Sequence, residues 1–273
     1  MNSFHVRRER ITLWSLVLIL AQISAAQQPD TAVVADHVRY NTEQVVDNLI
    51  QMNLHRLQAL RAYESNRTYK VEYHGFGGSR NAEMAVKLKY SSPRSKEFTI
   101  ESTSGSKVLI DKVLKKLLEA EKEALDVEVQ RRSALSHDNY DFKLVGFEST
   151  SGGSMYVLEV EPKAMDKFLY RGRIWVDAED FAITRLVAEP AKNPSFWTKH
   201  SDIEQIYRKV NDFWLPERNH SLSSIRLGGR AELTIEYKDY HITSAAPVAN
   251  LSQKESAPSA NSGGTQHSGD NNR

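Results

Sequence analysis

The sequence predicts a mainly β (α+β) fold, in which a curved antiparallel sheet forms an incomplete β-barrel with an N-terminal helix and a helical lid inserted between strands. Two-residue alternation of apolar and polar side chains recurs from Arg67 to Ile242, and one helical pattern interrupts it. Strand-after-strand order of this kind is typical of one large antiparallel sheet. Because a flat sheet of this size would leave its edges and one apolar face open, we expect it to curl into a barrel or half-barrel whose concave side helical or loop inserts can cover.

The first helix is predicted from Asn41 onward. Asn41 is a suitable N-cap, and Gln44 three residues later completes the pattern of a capping box. Apolar residues then recur at helical spacing, which indicates an amphipathic helix that packs against another part of the domain. These residues are Val45, Val46, Leu49, Ile50, Leu54, Leu57 and Leu60.

Three antiparallel strands are predicted next. From Arg67 the apolar period changes to two, and the glycine-rich segment 75–78 supplies a turn. Alternation resumes in residues 84–90 and again at Phe98 and Ile100. The short connections between these runs favour consecutive hairpins.

A second helix is predicted to interrupt the strands after Ser106. Its apolar stripe is formed by Val108, Leu109, Val113, Leu114, Leu117 and Leu118. The side chains expected to face water are Glu119, Glu121, Lys122 and Glu123. Residues 127–138 are polar, and they either extend this helix or form a loop.

Strand patterns then persist to the end of the domain, separated by turn residues. The predicted segments are 140–147, 155–161, 170–177, 181–189, 203–210, 213–219, 220–226 and 231–242. One loop, residues 191–201, carries the apolar residues Phe196 and Trp197. Apolar side chains in a loop suggest that it contacts a ligand or covers part of the sheet.

Residues 1–26 are predicted to be a cleavable signal peptide. Arginines at positions 7, 8 and 10 precede an apolar run at 11–21, and Ala25 and Ala26 supply small residues at a cleavage site. The run is shorter than the roughly 20 residues that cross a bilayer, which disfavours an uncleaved anchor. The paired arginines leave a twin-arginine signal as an alternative. We expect export to the periplasm, with secretion as the lesser alternative.

Composition divides the rest of the chain into three parts. A flexible N-terminal segment is predicted at 27–40, one domain at 41–244 and a disordered tail at 245–273, where small and polar residues dominate. The chain contains no cysteine, so we expect neither a disulfide nor a lipid anchor. The signal peptide holds three of the 36 basic and one of the 35 acidic residues. The remainder is therefore close to neutral, which gives no support to nucleic-acid binding.

Three sets of residues could carry chemistry, and each has a structural explanation. Ser104 and Lys107 have the spacing of a lysine-activated serine, but the companion motifs are missing and a serine-rich turn capping the second helix also explains them. Asp177, Glu179 and Asp180 could be paired acids, yet a tight turn favours the same residues. The histidines are scattered without metal-ligand spacing. We therefore predict no catalytic residue, no metal site and no cofactor.

Two stretches carry a resemblance to a known family. Residues 172–186 (GRIWVDAEDFAITRL) predict a hairpin whose first strand ends in an aromatic residue, an apolar residue and Asp, and whose second strand begins with an apolar residue before Arg. Residues 213–216 (FWLP) form a Trp-x-Pro step between late hairpins, and 227–240 would be the closing strand. Together they resemble the carriers that sort outer-membrane lipoproteins in the Gram-negative periplasm, and their receptor partner, over about residues 41–242.

The resemblance implies a half-barrel with an apolar concave trough, lidded by helices, that holds lipid acyl chains or a lipoprotein. The residues expected to line the trough are Phe98, Ile100, Leu158, Ile174, Leu233 and Ile235. The residues expected to form the lid are Val113, Leu114, Leu117, Leu118, Phe196 and Trp197. The alternatives on the same fold are a non-enzymatic envelope sensor and a module that binds another envelope protein. A filled ordinary core is the alternative to a ligand trough.

Overall fold

The structure is a computed structural model, and it describes residues 40–193, 195, 198–226 and 228–248. The predicted signal peptide, the lid residues Phe196 and Trp197, and the tail from residue 249 lie outside these ranges. Within them, no helix is both long enough and apolar enough to cross a membrane.

Helix α1 (Thr42–Ala59) begins at the predicted capping box. The Asn41 amide donates to the Gln44 side chain at 3.0 Å, and the Gln44 amide donates to the Asn41 side chain at 2.9 Å. These bonds satisfy amides that have no partner inside the helix. The helix ends at Ala59, and Leu60 adopts extended backbone angles and opens the first strand.

Ten antiparallel strands form one curved sheet, which confirms the predicted fold class. The strands are β1 (Leu60–Gly75), β2 (Gly78–Ser91), β3 (Ser95–Gly105), β4 (Tyr140–Thr150), β5 (Gly153–Pro162), β6 (Tyr170–Asp177), β7 (Ile183–Pro190), β8 (Thr198–Val210), β9 (Phe213–Ile225) and β10 (Arg230–Ala245). Their order is β3-β2-β1-β10-β9-β8-β7-β6-β5-β4. Since β3 and β4 are the two edges, the sheet remains an open half-barrel.

Several strand boundaries differ from the prediction; β8, for example, starts at Thr198 rather than at Ile203. β1 starts at Leu60 rather than near Arg67, because register shifts against β10 within residues 60–66 break the two-residue alternation that identifies a strand. Residues 213–225 form one strand, β9, rather than two. The middle of β9, at His220, pairs with both neighbouring strands without an intervening turn.

The predicted second helix is present as the start of a helical insert (residues 107–133) between β3 and β4. The insert comprises α2 (Lys107–Leu109), a π-helical segment (Ile110–Leu114), α3 (Lys115–Glu123) and α4 (Val127–Ser133). α4 answers the question that the sequence left open for residues 127–138. It is a short separate helix, and the Asp126 side chain accepts hydrogen bonds from the amides of Glu128 and Val129 at its start.

The helices cover different parts of the concave face through separate apolar clusters. The α1 cluster comprises Val45, Val46, Leu49, Met52, Tyr140, Tyr156, Leu158, Val160, Leu169, Ile174, Val176, Phe181 and Ala191. The insert cluster comprises Tyr69, Val71, Ala82, Met84, Val86, Ile110, Leu114, Leu118, Ile235 and Tyr237. A further cluster around Tyr63 and Phe213 joins β1 and β2 to the start of β9.

Arg56 anchors α1 to the hairpin that carries the family resemblance. Its guanidinium, which is buried, donates to the carbonyl oxygens of Asp180 at 2.8 Å and Phe181 at 2.7 Å. The Asp180 carboxylate in turn accepts from the Trp214 ring nitrogen at 2.8 Å and pairs with Lys209 at 2.5 Å. The two resembling stretches, 172–186 and 213–216, are therefore in direct contact.

We expect the α1 cluster to contribute a large part of the stability of the domain. Leu49 is fully buried in that cluster, so Leu49→Ala should lower the free energy of unfolding by about 2–5 kcal/mol in a urea denaturation experiment. Leu57 lies on the same helix but is 59% exposed, and Leu57→Ala should change that free energy by less than about 0.5 kcal/mol. Equal losses from both substitutions would contradict this packing.

Candidate ligand-binding site beneath the helical insert

One row of paired residues runs across the concave face, and its side chains change from apolar to polar and back to apolar along the row. Partners in strand register across the sheet are Met84, Tyr69, Ile235, Asn219, Gln205, Leu186, Ile174 and Leu158. Both ends of this row are apolar or aromatic, whereas the Asn219 side chain donates to Gln205 at 3.0 Å in the middle. Ser201 and Ser223, which pair further along β8 and β9, are hydrogen-bonded at 2.9 Å. Along this row, a polar band on β8 and β9 therefore separates the apolar area of β1, β2 and β10 from that of β5, β6 and β7.

The insert covers the apolar area formed by β1, β2 and β10. Ile110, Leu114 and Leu118 are spaced by one turn along the insert and are all buried against the sheet. Val113 and Leu117 are partly buried at the margin of the same cluster. The π-helical segment contains Ile110 and Leu114, two of these three residues, and such segments are often found at functional sites.

One charged contact fastens the insert to the sheet. Arg67 of β1, 4% exposed, donates to both carboxylate oxygens of Glu121 in α3, at 2.8 and 3.0 Å. The Tyr69 hydroxyl donates to the same carboxylate at 3.0 Å, and Lys96 of β3 lies 3.3 Å from it. The Arg67 guanidinium also lies over the Tyr237 ring at 4.9 Å. We call Arg67, Tyr69, Lys96 and Glu121 the latch.

Burial and charge act against each other within the latch. Burial alone would raise the pKa of Glu121, but the charges of Arg67 and Lys96 outweigh it, so this pKa lies below its ordinary value of 4.5. Burial lowers the pKa of Lys96, although Glu121 opposes the change. For Arg67 the neighbouring carboxylate outweighs burial and raises the pKa. At neutral pH the latch is therefore an ion pair rather than a neutral hydrogen bond.

The prediction that Glu121 faces water is wrong. Its carboxylate turns toward the sheet because Arg67 and Lys96 offer charged donors there. A signal for Arg67 was present in the sequence, since it alternates in phase with Tyr69 and Val71 and so shares their buried face. No sequence signal identified Glu121, which lies 54 residues away along the chain.

The predicted trough residues fall into three groups. Ile235 is a member of the insert cluster, and Phe98 and Leu233 pack against it. Leu158 and Ile174 are buried in the α1 cluster, under a different helix. Ile100 is on the edge strand β3 and is 40% exposed. The structure thus brings Phe98, Leu233 and Ile235 together with the lid residues Val113, Leu114, Leu117 and Leu118, and side chains fill the space between them.

A separate cleft of about 580 Å³ opens where β9 and β10 cease to pair, after Arg218 and Glu236. It is lined by Ile206, Arg208, Glu217, Arg218, Glu236, Tyr237, Lys238 and Asp239. Positive and negative side chains are equal in number along its wall, and Lys238 is already paired with Glu236 at 2.7 Å. This polar cleft is unsuited to an acyl chain.

The other sequence candidates have local structural roles. The Asp177 side chain accepts hydrogen bonds from the amides of Glu179 and Asp180, as predicted for acidic residues in a tight turn. Ser106 occupies the N-cap position of the insert, as predicted, but its side chain does not form the capping hydrogen bond. Within the described ranges no group of three or more His, Asp or Glu side chains has metal-binding geometry.

Comparisons with known proteins reveal similarity of fold. No protein-family model matches the sequence, and no curated protein matches it. A DUF1329 family protein from Desulfovibrio piger is 12% identical, with a TM-score of 0.37, over 74% of this chain and 93% of that chain. A putative outer membrane lipoprotein-sorting protein domain from Vibrio parahaemolyticus is 11% identical, with a TM-score of 0.34, over 74% and 94%. A LolA superfamily protein from Nitrosomonas europaea is 10% identical, with a TM-score of 0.33, over 76% and 96%.

These likenesses agree with the resemblance to lipoprotein-sorting proteins at the level of the fold. With TM-scores below 0.5 they say nothing about what this chain binds.

The latch should make stability depend on pH in a defined direction. Because the pKa of Glu121 is lowered on folding, its contribution is complete above pH 4.5 and is lost as the pH falls through the lower folded value. We expect Glu121→Gln to cost about 2 kcal/mol at pH 7 and progressively less as the pH falls below 4.5 and Glu121 becomes protonated in the folded protein, measured by urea denaturation. Glu119→Gln, an exposed neighbour paired with Lys116, is the matched control and should have little effect. A loss that does not diminish down to the lowest pH at which the domain remains folded would argue against an ionic latch.

Proposed function

We propose that this chain is a periplasmic carrier that holds acyl chains of a lipid or lipoprotein against the concave face of β1, β2 and β10. In this proposal the described conformation is the closed form, with the insert in the place of the ligand. The observation that carries the proposal is the way in which the insert covers the apolar area of the sheet. A broad apolar and aromatic area of the sheet is closed by three side chains of an inserted helix, Ile110, Leu114 and Leu118, together with the latch.

The energies of opening and ligand binding are comparable. Exposing three buried aliphatic side chains costs about 2 kcal/mol each, and breaking a charged hydrogen-bonded contact costs about 2 kcal/mol more. Each methylene of an acyl chain that enters the vacated space returns about 0.8 kcal/mol. A chain of about ten buried methylenes therefore offsets the cost of opening, so exchange between lid and ligand is energetically feasible.

The sequence at the N-terminus supports the proposed location. An arginine-containing start, an apolar run at 11–21 and small residues before position 27 are typical of an exported protein. An aqueous compartment between two membranes is where a protein that shields acyl chains from water would act.

Movement of the insert can be measured directly because the chain has no cysteine of its own. Spin labels on Lys116→Cys in α3 and Glu72→Cys in β1, both exposed, would report the distance between insert and sheet. We expect this distance to increase when oleate or a lipopeptide is added, with native mass spectrometry showing near-stoichiometric acyl-chain occupancy. A control pair on Glu72→Cys and Asp202→Cys, both on strands, should not change. Protein that takes up neither ligand would overturn the carrier proposal.

Binding of another envelope protein is the second candidate function, and one residue favours it. Phe76 at the turn between β1 and β2 is 92% exposed. The turn residues Gly77 and Gly78 have φ angles of 88° and 94°, a region favourable for glycine, and they hold the ring out into solvent. Aromatic residues, phenylalanine included, are enriched at protein–protein interfaces.

A photoreactive phenylalanine analogue at position 76 should give a discrete crosslinked product in cells. The same analogue at Leu222, a 45% exposed residue of β9, is the matched control and should give none. Equal crosslinking at both positions would remove the argument for partner binding through this turn.

A further inference from the structure

The latch contains more positive than negative charge. Arg67 and Lys96 share the single carboxylate of Glu121, at 2.8 and 3.3 Å. A third cation, Lys122, lies 5.8 Å from the centre of the Phe98 ring, above the same strand, β3. No second carboxylate is paired with Arg67 or Lys96 in the part of the chain that the structure describes. The area under α3 therefore carries an excess of positive charge, which an additional anion would balance.

Donors beside the latch are also unused. The Arg67 Nε and the Ser65 Oγ are buried, and neither has a hydrogen-bond partner among the described residues. Arg67 and Ser65 are 4% and 1% exposed, so solvent in this conformation does not satisfy them. Buried donors without acceptors are uncommon and costly, which suggests that another conformation or a ligand supplies the acceptor.

The residues of this area belong to two bodies. Ser65, Arg67 and Tyr69 lie on β1 and Lys96 lies on β3, whereas Glu121 belongs to the insert. If the insert moves away, Arg67, Tyr69 and Lys96 stay with the sheet and lose the Glu121 carboxylate. Ser65 lies two residues before Arg67 on the same side of β1, so its hydroxyl is on the face that the insert has left.

We propose that Arg67, Lys96, Tyr69 and Ser65 bind the anionic headgroup, a carboxylate or a phosphate, of an amphiphilic ligand. Glu121 occupies this headgroup site in the closed form and stands in for the ligand anion. This inference rests on the proposed carrier function and narrows its ligand from acyl chains in general to anionic amphiphiles. When the insert opens, the ligand anion replaces the Glu121 carboxylate, so Arg67 and Lys96 keep an anionic partner.

The surroundings of the site suit a ligand with a polar head and an apolar chain. The guanidinium of Arg67 lies 4.9 Å from the centre of the Tyr237 ring and 5.7 Å from that of Phe98. Tyr69 and Tyr237 are themselves members of the insert cluster, whose remaining sheet residues are aliphatic. A headgroup on Arg67 therefore directs its chain along the area covered by Leu114 and Leu118.

Chain-matched ligands test the proposal. Oleate and oleoyl lysophosphatidic acid carry an anionic head, and monoolein carries a neutral one on the same chain. We expect the two anions to bind about tenfold more tightly than monoolein, the effect of one charged hydrogen-bonded contact. Dissociation constants would be measured by displacement of a fluorescent fatty acid below the micellar concentration of each ligand, with inorganic phosphate alone as a further probe.

Substitutions assign the preference to the site. Lys96→Met and Arg67→Met should bring the ratio of anionic to neutral affinity close to one, while Lys87→Met, an exposed residue of β2, should keep it. Lys96 is on an edge strand, so its variant remains informative if Arg67→Met does not fold. Glu121→Gln should raise the affinity for oleate more than that for monoolein, because it removes the competing carboxylate.

The outcomes separate this inference from the function on which it rests. Binding of all three lipids with equal affinity would overturn the headgroup site and leave the carrier function in place. Failure to bind any of them would overturn both. Inorganic phosphate that binds as tightly as the lysophosphatidic acid would show that a free anion, rather than an amphiphile, is recognised, and this too would overturn the proposal.

Discussion

The need to cover one apolar face governs this structure. Ten antiparallel strands place alternate side chains on a concave surface that water would contact if nothing lay on it. The chain supplies two covers from different places in the sequence: α1 ahead of the sheet and the insert between β3 and β4. Since the polar band on β8 and β9 separates the apolar areas, each cover packs with its own cluster. The two covers can therefore differ in how firmly they are held.

The chemistry of attachment distinguishes the two covers. Arg56 fixes α1 by donating to main-chain carbonyl oxygens of the turn between β6 and β7, which are fixed acceptors of the fold. Arg67 holds the insert through a carboxylate, a group that small ligands also carry. A buried ion pair contributes little net stability compared with apolar packing, because both charges must be desolvated. In the proposed carrier, an ion pair at this position would allow a ligand anion to replace Glu121, which is a better explanation for it than the stability that it adds.

Sequence patterns predicted the elements that obey one simple period. The capping box at Asn41 and the turn at Asp177 are present as expected. The apolar stripe of the insert is only partly as predicted, because Val108, a predicted member, is 57% exposed, whereas Ile110, which was not predicted, is buried. Prediction was wrong where a local irregularity hides the period, as in residues 60–66, whose register shifts against β10 shorten the strand that alternation reveals. Glu121 shows a second limit of prediction from sequence patterns. Its neighbours place it on the polar side of a helix, and only the tertiary position of Arg67 explains why it is turned inward.

The division of the predicted trough has a physical consequence for ligand size. Leu158 and Ile174 lie beneath α1, whose removal would expose most of the α1 cluster and break the bonds of Arg56. Phe98, Leu233 and Ile235 lie beneath the insert, where opening exposes fewer side chains. In the proposed carrier, an acyl chain beneath the insert would therefore meet the polar band at Asn219 and Gln205 before it reached the second apolar area. The amide pair would then limit the proposed site to the breadth of β1, β2 and β10, which favours one or two chains over a bulkier lipid.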